Sequence, residues 1–286
     1  MDTVIVTGAT SGIGFAVARA FLKRGYRVVG IGRSEKNCDI AGSALKKECP
    51  NADIRYYCGD LMQQTQVKRL AEALRRDVDE HCGGKLHALV NNAGCVRSWY
   101  ATTEEGYEQQ FALNHLAGFL LAHYLLPCLI KGRGRVVMTG SDSHRHMKVR
   151  WKDVMFQKRY HPLLAYKQSK LCNLLFAGAL NKRFINDGIR AYVVDPGLVK
   201  TDIGHKDTGR LVRFVWSIRK KQGVLPEIPA ETYVFLCDVQ PLKSGLYYRR
   251  CKPAGYSGRV TEEDADRLFA LSERLTGVEF GKETER

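Results

Sequence analysis

The sequence predicts an α/β fold, a single doubly wound domain with a parallel sheet of about seven strands and helices on both faces. Two observations lead to this prediction. Short apolar or β-branched runs recur along the 286 residues, and segments with helical apolar spacing separate them. Repeated alternation of strand and helix is typical of a parallel sheet that is covered on both faces. No linker or internal repeat interrupts the pattern, so residues 1–286 are predicted to form one domain.

Six strands are predicted with definite limits. They are Thr3–Thr7, Tyr26–Ile31, Ile54–Cys58, Leu86–Val90, Arg135–Thr139 and Ile189–Val194. Helices are predicted from Ile13 to Gly25, over Glu35–Lys47, Gln63–Cys82 and Thr103–Ile130, and from Tyr166 to Leu180. Asn114 and Pro127 are irregularities in the fourth helix, since asparagine is disfavoured inside a helix unless its amide has a role.

A glycine-rich turn joins the first strand to the first helix, and it runs Thr7-Gly8-Ala9-Thr10-Ser11-Gly12-Ile13-Gly14. Glycines let the backbone approach a pyrophosphate, and the amino end of a helix stabilises the negative charge. The order of strand, glycine turn and helix makes such a motif credible as a dinucleotide site. The predicted site consists of Gly8, Thr10, Ser11, Gly12, Ile13 and Gly14.

The end of the second strand indicates which dinucleotide binds. An NAD site usually carries an acidic residue there, which bonds the ribose 2′-hydroxyl. Here the strand ends in Gly30-Ile31-Gly32-Arg33-Ser34, with an arginine and no acid. Because a guanidinium suits a 2′-phosphate, Arg33 favours NADP(H) over NAD(H). The alternative is that Arg33 is a solvated loop residue.

Polar residues and glycines follow the other strands, where the carboxyl ends of parallel strands meet a ligand. Asp60 and Leu61 follow the third strand, Asn91-Asn92-Ala93-Gly94 the fourth, Gly140-Ser141 the fifth and Asp195-Pro196-Gly197 the sixth. We expect these residues to lie along one edge of the sheet. The two asparagine amides have a second interpretation, in which they tie neighbouring strand ends together, and both roles are compatible.

Tyr166 and Lys170 are four residues apart, so they share one face of the predicted helix. An ammonium beside a phenol favours the phenolate. The phenol can then act as an acid or base at cellular pH. The pattern alone is weak, because many such pairs are a half-buried tyrosine and a solvated lysine.

Composition narrows the classes of function. The nine cysteines form no C-x-x-C pair, which predicts reduced thiols and no metal site. The net charge of +15 suits an anionic ligand or surface, but no helix-turn-helix, RNP or zinc-finger pattern indicates nucleic acid. Neither a secretory signal nor an apolar run of about 18 residues is present, so we expect a cytoplasmic protein.

With these motifs collected, the chain resembles the short-chain dehydrogenase/reductase family from end to end. The matching pieces, in family order, are Thr7-Gly8-x-x-x-Gly12-x-Gly14, Asp60, Asn91-Asn92-Ala93-Gly94, Asn114, Ser141, Tyr166-x-x-x-Lys170 and Pro196-Gly197. The long spacing from Ser141 to Tyr166, the residues after Tyr166 and the Ser244–Tyr248 tail with its following helix resemble the retinol-dehydrogenase-like branch. One departure is Gly140, where the family often has a second serine.

The resemblance implies a Rossmann fold and a carbonyl–alcohol oxidoreductase. Tyr166 would exchange the proton, Lys170 would favour its phenolate and hold the nicotinamide ribose, and Ser141 would bond the substrate oxygen. Asn114 would hold a water that links Lys170 to solvent. Asp60 and Leu61 would flank the adenine, Asn91 the adjoining ribose, and Val199 and Thr201 the carboxamide. Ala93, Gly94, Pro196 and Gly197 complete the implied cofactor site, which contains no metal.

Two segments look like insertions. His144–Arg159 is basic and loop-like. His205–Gln222 alternates cationic residues with apolar ones such as Phe214 and Trp216, and it follows Pro196-Gly197, after which the family covers its substrate. We expect a lid around residues 198–225, and we hypothesise that residues 205–222 rest on a membrane surface. The alternative is a lid that packs on its own domain and exposes a solvated basic face.

Other functions compete with the oxidoreductase as interpretations of these residues. A non-catalytic dinucleotide sensor of the same fold would usually lack the tyrosine or lysine, and an epimerase or dehydratase would need a further domain after Gly197. A light-dependent reductase of a chlorophyll precursor shares part of the Tyr166 motif. The expected partner is a small, apolar carbonyl or alcohol such as a ketosteroid or retinoid. The choice between a homodimer and a tetramer stays open.

Overall fold

The structure is a computed structural model that describes residues 1–200, 223–238 and 245–281. Its sheet has the strand order β3-β2-β1-β4-β5-β6-β7-β8, and only the contact between β7 and β8 is antiparallel. The strands are β1 Thr3–Thr7, β2 Arg27–Gly32, β3 Ile54–Cys58, β4 Ala88–Asn91, β5 Arg135–Thr139, β6 Arg190–Val194, β7 Tyr247–Arg249 and β8 Lys252–Pro253. The prediction of a doubly wound parallel sheet is confirmed, with eight strands instead of about seven.

The predicted helices are present at or near their expected positions, and the helix Glu227–Asp238 was not predicted. They are α1 Gly12–Lys23, α2 Glu35–Glu48, α3 Gln64–Cys82, α4 Gln109–Tyr124, α5 Leu126–Gly132, α6 Pro162–Phe184, α7 Glu227–Asp238 and α8 Glu262–Thr276. A short 3₁₀ turn at Asp142–His144 follows β5. The long predicted insertion after it is mostly without regular structure, as expected, although Met147, Val149 and Phe156 bury their side chains.

The last two strands form a hairpin that the sequence did not predict. Arg250 and Cys251 connect them, and both have positive φ, at 51° and 59°. Positive φ at both central residues is typical of a type I′ turn, for which Asn-Gly or Asp-Gly is the usual sequence signal. Because arginine and cysteine occupy these positions, the turn carries no such signal.

The predicted helix over Thr103–Ile130 is shorter and interrupted. It begins at Gln109, because the carboxylate of Glu108 accepts hydrogen bonds from Gln110 N at 3.0 Å and Phe111 N at 2.8 Å and so caps the helix. A π-helical turn occupies Ala112–Leu116, and the chain bends by 64° between α4 and α5 at Leu125. Pro127 lies in the first turn of α5, where it loses no helical hydrogen bond.

Strand order reverses between β1 and β4, which places a crevice at their carboxyl ends. Two hydrogen bonds close the sheet at this point, because Thr7 Oγ1 accepts from Asn92 N and from Ala93 N, each at 2.9 Å. Helix α1 then approaches the turn so closely that a Cβ on Gly14 would lie 2.3 Å from Gly8 O. Only glycine fits at this point of contact.

Apolar layers cover both faces of the sheet. On one face, α1 and α7 pack over the sheet, and on the other, α3, α4, α6 and α8 form the larger core. Phe119 joins Phe176, Phe269 and Phe280 there in a cluster with ring centroids 4.8–6.4 Å apart. Among the described helices, no single helix is long and apolar enough to cross a membrane. The bent pair α4–α5 meets that requirement by length and composition, but its residues are mostly buried in the core.

A buried ion pair lies at the opposite edge of the sheet from the crevice. Arg27 of β2 donates two hydrogen bonds to Asp77 of α3, at 2.7 and 3.0 Å, and Arg55 Nη1 lies 2.8 Å from the same carboxylate. Burial alone would raise the pKa of Asp77, but the hydrogen bonds and charge of Arg27 hold that pKa below its usual value. The pair therefore joins β2 to α3 as a carboxylate and a guanidinium.

We predict that Asp77→Asn lowers the free energy of unfolding by about 3–5 kcal/mol, because it removes the buried counter-charge of Arg27 and leaves only the exposed Asp53 as its acidic partner. Urea denaturation at neutral pH measures this. The Asp77 carboxylate stabilises the folded protein at pH values above the pKa of aspartate in the unfolded chain, and this stabilisation is lost as the carboxylate binds a proton. The difference in free energy of unfolding between wild type and Asp77→Asn should therefore shrink below about pH 4. Asp266→Asn is the control, because Asp266 pairs with Lys182 at the surface and should cost less than about 1 kcal/mol. Equal losses for both variants would contradict the prediction.

Candidate active site

A cleft of about 550 Å³ runs along the carboxyl edge of the sheet. Most of the predicted site residues line it. These are Gly8, Thr10, Ser11, Gly12, Ile13, Arg33, Asp60, Leu61, Ala93, Gly94, Ser141, Tyr166, Lys170, Pro196, Gly197 and Val199. Gly14, Asn91 and Asn114 lie behind the wall of the cleft, and Thr201 lies outside the described residues.

The glycine turn fits the pyrophosphate of a dinucleotide. Gly8 and Gly12 have positive φ, at 68° and 56°, and a Cβ on Gly8 would lie 3.1 Å from Ala93 Cα. Ser11 is the N-cap of α1, yet its side chain makes no capping hydrogen bond. The amide groups of the first helical turn therefore lack a side-chain cap, which suits an anion at this position.

Three of the predicted residues lie at the end of the cleft where the sequence predicts the adenosine. Arg33 is exposed at the end of β2 and forms no ion pair with a described residue. Asp60 turns its Oδ1 toward its own loop and accepts from Met62 N at 3.0 Å, while Leu61 is buried. The arrangement leaves a guanidinium free to meet a negative group at the cleft.

The two asparagines after β4 differ in their roles. Asn92 lines the cleft, and its Nδ2 donates to Thr7 O at 3.1 Å, so it ties the ends of β4 and β1 together as the second interpretation held. Asn91 faces the sheet interior instead, where its Nδ2 contacts Met138 Sδ at 3.3 Å. The Nδ2 atom of Asn91 thus has a partner in the sheet, and the ribose contact of this residue stays a prediction.

Lys170 is buried at the base of the cleft and donates to Thr139 O, at the end of β5, at 3.0 Å. Its Nζ lies 5.5 Å from the centroid of the Tyr166 ring, one turn earlier on α6. Burial lowers the pKa of Lys170 to about 8, against a small opposing effect of Cys95. The structure thus brings the predicted phenol and ammonium together, with the ammonium fixed to the sheet.

Asn114 supports the site from behind. It lies in the π-helical turn, and its amide bonds both sides of the Cys95 peptide, with 2.8 Å from Cys95 N to Oδ1 and 3.1 Å from Nδ2 to Cys95 O. Nδ2 also lies 2.9 Å from Ser169 Oγ. Both protons of Nδ2 are therefore used by protein groups, whereas Oδ1 accepts one of the two hydrogen bonds that an amide oxygen can accept. The water beside Lys170 stays a prediction.

Ser141 stands at the other side of the cleft, directly after β5. Its Oγ accepts from Ser143 N at 3.3 Å and caps the 3₁₀ turn. The packing around Gly140 explains why this chain has a glycine where the family often has a second serine. A Cβ at position 140 would lie 2.5 Å from Val193 Cγ1. The neighbouring strand β6 occupies the space that a side chain at position 140 would need.

Several residues of the cleft wall were not predicted. They include Arg19, Asn37, Met62, Cys95, Arg97, Leu113, Ser143, Leu198, Lys200 and Glu227. Four of them, Met62, Cys95, Ser143 and Leu198, lie four positions after a strand end, so a wider window there would have found these four. Arg19 and Glu227 come from two helices, α1 and α7, and form an ion pair across the rim. Only the tertiary packing of those helices reveals that pair.

The two ends of the segment predicted as a lid are hydrogen-bonded to each other. Val199 and Val224 form a parallel bridge, with 2.9 Å from Lys200 N to Val224 O and 2.8 Å from Val224 N to Leu198 O. The segment 205–222, with the predicted lid helix and membrane contact, lies outside the described residues. Among the residues that are described, no cluster of three or more histidine, cysteine, aspartate or glutamate side chains could hold a metal ion.

We predict that Gly140→Ser lowers the free energy of unfolding by about 1–3 kcal/mol, because the added side chain overpacks against Val193. Thermal and urea denaturation measure the effect. Gly178→Ser is the control, since a Cβ on Gly178 of α6 would meet no atom within 4 Å. A stable Gly140→Ser protein with unchanged turnover would show that β6 yields at this position.

Comparison with known proteins agrees with this geometry. Residues 2–210 match the family model for short chain dehydrogenases. Mouse retinol dehydrogenase 12 is 34% identical over 282 residues, which cover 97% of this chain and 87% of that protein.

Two solved structures share the fold. An uncharacterized protein from Mycobacterium paratuberculosis is 30% identical with a TM-score of 0.74, and the match covers 99% of this chain and 96% of that one. A short-chain dehydrogenase from Sphingobium yanoikuyae, solved with NADPH, is 22% identical with a TM-score of 0.67, covering 100% and 99%. The chain therefore belongs to the short-chain dehydrogenase family, in its retinol-dehydrogenase-like branch, and is a nicotinamide-dinucleotide-dependent oxidoreductase.

Proposed function

We propose that the protein interconverts a carbonyl and an alcohol on an apolar substrate, with NADP(H) as cofactor and Tyr166 as the general acid or base. The observation that carries the proposal is the layout of the cleft. The glycine turn and Arg33 lie at one end, and Ser141, Tyr166 and Lys170 meet at the other. One wall thus offers sites for the cofactor's phosphates and for the reacting oxygen.

The bound nicotinamide supplies or accepts the hydride, while the protein handles the proton. Tyr166 donates its hydroxyl proton to the carbonyl oxygen during reduction and takes it back during oxidation. Lys170 favours the phenolate through its charge, and its fixed bond to Thr139 holds that charge in place. Because Ser141 Oγ already accepts from Ser143 N, its own proton is available to the substrate oxygen.

The apolar character of the substrate is inferred from two sources. Leu113 and Leu198 line the cleft, and Leu198 is 41% exposed, so apolar surface is available to a ligand. The relative from mouse is named for retinol, an apolar alcohol. Turnover assays with retinal, ketosteroids, medium-chain aldehydes and quinones test the class directly. Activity on small polar carbonyls only would contradict it.

The preference for NADP(H) is inferred from charge. Arg19, Arg33, Arg97 and Lys200 line the cleft, against the acids Asp60 and Glu227, and Glu227 is paired with Arg19. Neither Arg33 nor its neighbours Gly32 and Ser34 supply the carboxylate that a 2′-hydroxyl would need. A 2′-phosphate is the group that this end of the cleft suits best.

We predict that Tyr166→Phe removes nearly all turnover and leaves the cofactor dissociation constant almost unchanged, since the ring stays and only the proton is lost. Lys170→Ala should harm both quantities, because Lys170 serves the phenol and the ribose. Single-turnover kinetics and cofactor fluorescence titration measure them. Tyr124→Phe, which removes a hydroxyl from α4 away from the cleft, is the control. If Tyr166→Phe kept more than a few per cent of kcat, another group would have to move the proton.

We predict that Arg33→Asp weakens NADP(H) binding by about 1.5–3 kcal/mol, through loss of a charge-assisted contact, and leaves NAD(H) binding nearly unchanged. The values of kcat/KM for both cofactors measure this. Arg69→Asp removes the same charge from the exposed face of α3, so it isolates the long-range effect of net charge. A wild-type preference for NAD(H), or equal effects of the two substitutions, would contradict the assignment.

A further inference from the structure

His144 is fully buried three residues after Ser141, and both of its ring nitrogens have partners. Nδ1 lies 2.7 Å from Ser141 O, and Nε2 lies 3.2 Å from Ser257 N. A carbonyl oxygen can only accept and a backbone amide can only donate. The ring must therefore carry its proton on Nδ1 and accept at Nε2, so its partners determine the tautomer.

The surroundings of His144 keep the ring neutral. Burial lowers its pKa, and nearby Arg145 acts in the same direction, against the Ser141 carbonyl, Asp142 and Asp195. Tyr247 of β7 packs edge-on against the ring, with centroids 5.2 Å apart. A neutral ring is the form that these bonds require, because an imidazolium would direct a second donor at the Ser257 amide.

The bond from Nδ1 acts on the backbone of Ser141. The Ser141 carbonyl accepts from His144 N at 3.2 Å and from Nδ1 at 2.7 Å, and its backbone is extended, with φ −170° and ψ 144°. On the other side, Gly140 N donates to Val194 O at 2.8 Å. The peptide that follows Ser141 is thus fixed at its carbonyl oxygen, and the residue before Ser141 is paired with β6, which together limit the direction of the Ser141 Cα–Cβ bond.

We propose that His144 is a positioning residue, whose Nδ1–H holds the Ser141 carbonyl and thereby directs the Ser141 hydroxyl at the reacting oxygen. The inference rests on the proposed role of Ser141 as donor to the substrate. His144 does not line the cleft itself, so it acts only through Ser141. Its second bond, to Ser257, joins the segment before α8 to the same ring.

Two substitutions separate the bonds of the ring. An asparagine amide reaches about as far as Nδ1, so His144→Asn keeps a donor for Ser141 O and loses the acceptor for Ser257 N. A glutamine amide reaches about as far as Nε2, so His144→Gln keeps the Ser257 bond and loses the one to Ser141. We expect His144→Gln to lower kcat about tenfold or more and His144→Asn to stay within about threefold of wild type. The cofactor dissociation constant should not change in either variant.

Ser141→Ala and His123→Gln are measured in parallel, with thermal denaturation to confirm folding. His123 is a buried histidine on α4 away from the cleft, and its substitution should leave kcat unchanged. If Ser141→Ala keeps its kcat, the role of Ser141 fails first, and the positioning role fails with it. If Ser141→Ala loses turnover while His144→Gln keeps it, or if both His144 variants lose it equally, only the positioning role is overturned. Should His144→Gln not fold, near-normal kcat in His144→Asn supports the inference, and a tenfold loss there overturns it.

Discussion

The site depends on the hydrogen bond between the Lys170 ammonium and the carbonyl oxygen of Thr139. Thr139 ends β5 in the middle of the sheet, and its carbonyl also accepts from Asn173 Nδ2 of the same helix, at 3.1 Å. Two bonds from successive turns therefore dock α6 on one backbone atom. Since Tyr166 lies one turn before Lys170, the same contact determines where the phenol enters the cleft. A buried ammonium costs free energy, which is visible in the lowered pKa of Lys170.

A layer of side chains behind the cleft fixes the groups that we propose to react. Asn114 holds the Cys95 peptide and Ser169, Ser169 Oγ donates to Tyr166 O at 2.8 Å, and His144 holds Ser141. Donors and charges that are aimed before the reaction need no reorganisation during it, which is the main source of electrostatic catalysis. The π-helical turn at Asn114 is part of this layer, because it lets an asparagine leave the regular helical direction and reach a loop.

Local chemistry explains which features the sequence could predict. Strands such as Thr3–Thr7 and the glycine turn were found because their residue types suit one backbone conformation, and Tyr166 and Lys170 because helical spacing joins them. The family resemblance implies roles for Asn91 and Asn114 beside the cofactor and a water, but it does not reveal that their amides bond Met138 and the Cys95 peptide. The direction of a polar side chain depends on partners distant in sequence, and neither pattern nor spacing records them. The hairpin at Arg250 and Cys251 escaped detection for a related reason, since tertiary contacts there hold a turn without its usual residues.

The arginines of this basic chain divide into two kinds, and the division bears on how the cofactor is bound. Arg27 is buried and already bonded to Asp77, so it stabilises the sheet and is not available to a ligand. Arg33 is exposed on the cleft and has no carboxylate partner among the described residues. A phosphate that approaches Arg33 therefore breaks no ion pair with a described residue. A charge-assisted contact that breaks no ion pair contributes fully to affinity, and this is the physical basis of the proposed preference for NADP(H).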